Sequence, residues 1–95
     1  MRPPRALDLL PKELHGEARG AIPNGTRIVK VFAEPGDANP VGTTGVVLAS
    51  HAVPQAELAT LPAVGGAVSP FVYFVEWDTF LGQPVGVISV KIGLP

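Results

Sequence analysis

The side chains of this 95-residue chain with the greatest chemical reach are two histidines, a Ser–His dipeptide and a pair of carboxylates flanking a tryptophan. His15 and His51 show no His-x-x-His or His-Glu-x-x-His spacing, so neither reads as part of a metal centre. Both read as exposed loop or strand-end residues, and no metal is expected. Ser50 directly precedes His51. Neighbours on a strand project to opposite faces, which keeps the hydroxyl away from the imidazole, and no Gly-x-Ser-x-Gly elbow is present. Hydrolase chemistry is not expected, no catalytic residue is assigned, and the chain is not expected to be an enzyme.

Glu76 and Asp78 flank Trp77, and on an alternating strand both project away from the indole. Paired carboxylates do acid–base work only in a cleft that perturbs their pKa values. On a small β-domain they read first as a solvated face, and next as a contact for a basic partner. The aromatic residues divide between core and surface. Tyr73 and Trp77 fall on the core face, Phe74 shares the Glu76 face, and Phe80 lies in a turn. Exposed aromatics of that kind mark contact surfaces. Phe74, Glu76, Asp78 and Phe80 are therefore the residues expected to meet a partner. Gly42, Gly45, Gly65 and Gly66 do not belong to a Gly-x-x-x-x-Gly-Lys-Ser/Thr string, and no cofactor is expected.

Short strands and frequent turns must position these groups. Thr26–Phe32 is β-branched and apolar, although Lys30 shares a face with Ile28 and Phe32; a bulge, or burial on both faces, would account for that. The turn formers of residues 34–40 predict a surface loop. Thr44–Ser50 reads as a second strand. Phe71–Trp77 is the strongest, its residues alternating with period 2. Val85–Ile88 and Val90–Leu94 follow, with a tight turn around Ser89. Residues 51–70 form a long insertion between strands 2 and 3, with a short helix over 54–61 led by Pro54 and a glycine-centred loop over 63–70. Ahead of the strands, residues 1–20 read as a partly extended leader. In it Ala6–Leu10 can form a helical turn or dock its leucines on the domain of residues 21–95.

Composition narrows the class further. The apolar share is 46%, which predicts a packed core rather than a disordered chain. The absence of cysteine excludes disulfides and thiolate sites and is compatible with the cytoplasm, where the chain is expected to work. Neither a secretory signal nor a membrane-spanning stretch is read. The net charge of −1 conceals an asymmetry. Arg2, Arg5, Lys12, Arg19, Arg27 and Lys30 outnumber the acids of the first thirty residues, whereas Lys91 alone faces five carboxylates beyond them. A neutral-to-acidic domain with a mildly basic leader lacks the dense field that a phosphate backbone demands.

Taken together, Gly25-Thr26-Arg27-Ile28-Val29, Gly42-Thr43-Thr44-Gly45-Val46-Val47 and Tyr73-Phe74-Val75-Glu76-Trp77-Asp78, with Gly82 and Val85-Gly86 beyond, resemble small bacterial SH3-like domains. Among these, the NifZ-type accessory proteins of nitrogen fixation look nearest. KOW-type domains share the first two segments, but their flanking basic residues are missing here. The resemblance implies an all-β, five-stranded SH3-like barrel with the long insertion loop between strands 2 and 3. It also implies a non-enzymatic module that binds a protein partner, in the NifZ case assisting assembly or maturation of a larger enzyme. Candidate contact regions are the Phe74/Glu76/Phe80 side, the 34–40 loop and the 51–70 insertion, and an open strand edge would permit a homo-oligomer. The alternative is a KOW-like nucleic-acid binder using the basic leader.

Overall fold

The computed structural model describes residues 6–58 and 69–95. The expected 54–61 helix and 63–70 loop run partly through residues 59–68, and those residues, with Arg2 and Arg5, lie outside the described set.

Five antiparallel strands form one sheet in the order β4-β3-β2-β1-β5. They are β1 (Arg27–Lys30), β2 (Thr44–Ala52), β3 (Phe71–Trp77), β4 (Val85–Ile88) and β5 (Ile92–Gly93). A single 3-10 turn, Ser89–Lys91, separates β4 from β5. It shortens the expected final strand, and it carries the chain from one end of the sheet order to the other. Helical turns α1 (Ala6–Leu9) and α2 (Gln55–Leu58) and a 3-10 turn at Lys12–Leu14 complete the described elements. The α2 turn begins at Pro54, whose carbonyl accepts the N–H groups of Glu57 and Leu58.

The period-2 pattern of β3 places Tyr73, Val75 and Trp77 inward. They join Ile28, Val47, Val87 and Ile92 in the core, with Ala21, Ile22, Phe71 and Val85 packed against it. Register explains the need for a glycine in β2. Gly45 stands opposite Trp77, and a methyl group there would lie 2.7 Å from the Glu76 carbonyl oxygen and 3.0 Å from the indole. The indole thus packs directly on the β2 backbone.

The irregularity expected in β1 lies instead in β2, where the register shifts between Val47 and Ala49. The extra residue reverses the alternation, so that Ala49 and Ser50 are both buried. Strand β1 needs no such device, because Ile28 and Lys30 both face inward while Arg27 faces out.

The leader lies against β2 and β3. Ala6 and Leu10 are buried, while Leu9 remains exposed. His51 Nε2 donates to the Leu14 carbonyl at 2.6 Å, and His15 Nε2 donates to the carbonyls of Leu10 (2.8 Å) and Leu7 (3.1 Å). Ser50 pins the same stretch from both sides. Its N–H donates to Gly16 O at 3.0 Å, and its Oγ accepts the Ala18 N–H at 2.8 Å. Tyr73 ends the attachment by accepting the Ile22 N–H on its hydroxyl at 2.9 Å.

Candidate functional site

A cleft of about 500 Å³ runs between the 34–39 loop and β4. All four residues of β4 line it, Trp77 and Lys30 lie at its base, and Glu34, Asp37 and Lys91 stand over it. The loop is shaped by Gly36 at φ +91° and by the Asp37 N–H donating to Glu34 O at 3.0 Å. Asp37 returns the contact by accepting the Glu34 N–H on Oδ2 at 2.8 Å. This closed turn sets its carboxylate on the wall of the cleft, with a quarter of the side chain exposed.

Lys30 is the unusual member. Only 5% of it is exposed, and a buried ammonium is costly unless compensated. Two features offset the cost. Its Nζ lies 5.4 Å from the centroid of the Trp77 ring, within cation–π range, and 3.7 Å from Asp37 Oδ2. Lys91 Nζ approaches the same oxygen at 3.3 Å and Glu34 Oε1 at 3.9 Å. The Asp37 carboxyl is held below its usual pKa chiefly by the Glu34 N–H; desolvation opposes this, and Lys91 and Lys30 each add a smaller lowering effect.

A second compartment of about 300 Å³ adjoins the first, sharing Ala38, Asn39 and Val85, and is closed by Thr79 and Phe80. Thr79 Oγ1 donates to Asn39 Oδ1 at 2.6 Å, tying the 78–84 turn to the loop. Phe80 is 57% exposed and Leu81 beside it 71%.

The four residues expected to meet a partner are distributed unevenly. Phe80 lines the apolar compartment. Phe74 is half-buried, edge-on to the His51 ring at 6.0 Å, with Gly86 against its ring. Glu76 and Asp78 are engaged separately rather than as an acidic pair. Glu76 Oε2 accepts the Gly82 N–H at 2.8 Å. Asp78 forms a two-pronged ion pair with Arg27 and also accepts from the Thr44 hydroxyl. The Arg27 side-chain hydrogen bond, then that of Thr44, lowers the Asp78 pKa, and the same pair raises that of Arg27.

The sequence pointed to the 34–40 loop as a contact region, but it placed Lys30 only among the basic residues of the first thirty and did not single out Lys91. Its available signal was the placement of Lys30 on the Ile28 face of β1, a charge on an apolar face. The histidines and Ser50 hold leader backbone, as described above, and take no part in the cleft. Of the six basic residues among the first thirty, Lys30 is turned inward and Arg27 is paired with Asp78.

Among the described residues no group of three His, Asp or Glu side chains could hold a metal ion. No helix among them is long and apolar enough to cross a membrane. Comparison of the chain with protein-family models, with curated proteins and with solved structures finds no match to any of them.

Proposed function

We propose that this chain is a non-enzymatic protein-binding module built on an SH3-like barrel. The barrel reading is supported by a strand order in which β5 returns to β1 after one 3-10 turn. The observation that carries the binding reading is Phe80, an aromatic side chain left more than half exposed at the mouth of a two-compartment cleft. Exposed aromatics beside a groove supply large contact area at low entropic cost, which is how protein interfaces are anchored. Polar groups along the floor would then set which segment fits. An accessory role in assembling or maturing a larger enzyme agrees with the NifZ-like order of sequence features, and that likeness is its only support.

The test is capture of partners from native lysate by the tagged protein, with and without nuclease, alongside the Phe80→Ala variant. The reading expects a stoichiometric protein that survives nuclease and is depleted by the substitution. Material that disappears on nuclease treatment would favour the KOW-like alternative instead.

A further inference from the structure

Resting on the binding-module reading, we propose that the cleft receives an extended peptide segment as an added strand along β4, with a carboxylate of that segment held by Lys30 and Lys91. The first support is the free edge. β4 ends the sheet order, and in an antiparallel strand alternate residues turn their N–H and C=O groups away from the neighbour. Among the described residues, no turn, loop or side-chain hydrogen bond reaches the backbone of Val85–Ile88 from the cleft side. Such an edge is a template for main-chain pairing.

The second support is the unfilled donor capacity of Lys30. An ammonium carries three donors, and this one belongs to a lysine only 5% exposed that lines the cleft. Its nearest carboxylate oxygen, at 3.7 Å, is beyond hydrogen-bond reach. That oxygen, Asp37 Oδ2, is already shared with Lys91 and the Glu34 N–H. The ammonium thus meets the cleft with no protein acceptor among the described residues within hydrogen-bond distance of it, and an arriving oxygen acceptor completes the site.

A carboxylate is the acceptor that the charges select. Glu34 is the weakest partner present, half-exposed and 3.9 Å from Lys91, so an incoming acid can take its place while Glu34 turns to solvent. The site then holds two ammonium groups against Asp37 and the ligand acid. Same-face side chains along an added strand fall on alternate residues. The acid therefore sits over the lysines while an apolar neighbour reaches the Phe80–Val85 compartment.

The experiment is to pan a display library of random linear peptides against the intact protein. Enriched peptides are then synthesised, titrated by calorimetry and followed by amide chemical shifts. Enriched sequences are expected to carry Asp or Glu at fixed spacing from an apolar residue and to shift the amides of Val85–Ile88. Binding should weaken at least about tenfold in Lys91→Ala, as for a buried charge pair that loses a partner, and on N-methylation of alternate peptide amides. Lys30→Met should weaken it likewise; if that variant does not fold, Lys91→Ala and the N-methylated peptides decide the matter. Peptides without an acid, or bound equally by Lys91→Ala, or shifting only the 78–81 turn, would overturn the inference and leave the binding-module reading standing. Concentration-dependent β4 shifts without peptide would overturn it in favour of a second copy. No enrichment at all also overturns it, and only a simultaneous failure of lysate capture would bring down the broader reading.

Discussion

Lys30 Nζ stands 5.4 Å from the centroid of the Trp77 indole, two side chains that meet because β1 and β3 both turn these residues toward the core. The indole is itself laid on Gly45. One sequence of contacts thus runs from the β2 backbone through Trp77 to the ammonium at the base of the cleft, and it ties the packing of the core to the chemistry of the candidate site.

Replacing that ammonium separates stability from binding. Lys30→Met keeps the length and removes the buried charge, and losing one member of a buried ion pair is costly chiefly when the other is left uncompensated. Asp37 retains Lys91, so no carboxylate is left without a cation. Urea unfolding should place Lys30→Met within about 1 kcal/mol of the parent or above it. A loss of several kcal/mol would mean that Lys30 is held for stability.

Gly45→Ala should be costly for a different reason. The added methyl would strike backbone at Glu76 O, 2.7 Å away, as well as the Trp77 ring. Backbone cannot move aside as a flexible side chain can, and overpacking of this kind costs about 1–3 kcal/mol. Gly86→Ala, whose methyl would meet only the Phe74 ring at 3.6 Å, serves as the mild comparison. Thermal melts should show a much larger fall for Gly45→Ala, and equal falls would refute the close-packing argument.

Tyr73→Phe should loosen the junction between the leader and the domain without emptying the core. The ring remains, but the Ile22 N–H loses its acceptor, at a cost of about 1–2 kcal/mol. Hydrogen exchange should accelerate at Ile22 and leave the β3 amides least affected. Ser50→Ala should do the same at Ala18. Unchanged exchange at both amides would show that these contacts do not hold the leader.

Acid should weaken the fold through Asp37 and Asp78, whose pKa values are lowered in the native state. Between those values and the unfolded carboxylate value of about 3.9, the unfolded chain binds more protons than the folded one. The stabilisation is therefore complete above the unfolded pKa and is lost as pH falls through the native values. Asp37→Asn should flatten the acid limb of a stability-versus-pH curve. An unchanged limb would place the acid sensitivity elsewhere.

Phe80→Ala should leave stability within about 0.5 kcal/mol, as expected for an exposed side chain away from structural features, while reducing partner capture. A comparable loss of stability would assign Phe80 to packing rather than recognition.

Strand positions were legible because each depends on neighbours in the chain. The alternation of Phe71–Trp77, the β-branched run before residue 34 and the glycines of the turns are local patterns, and they marked all five strands to within a few residues. The inward placement of Tyr73 and Trp77 followed from the same period. What could not be read was any relation between distant segments. Lys30 counted only as one of six basic residues among the first thirty until the fold set it against Trp77 and Asp37. Glu76 and Asp78 counted as a pair until Gly82 claimed one, and Arg27 with Thr44 the other. The bulge in β2, invisible in its smooth apolar composition, decided that Ser50 would hold the leader. Local periodicity is written in neighbouring residues; the environment of a charge is set by residues far along the chain, and only folding brings those together.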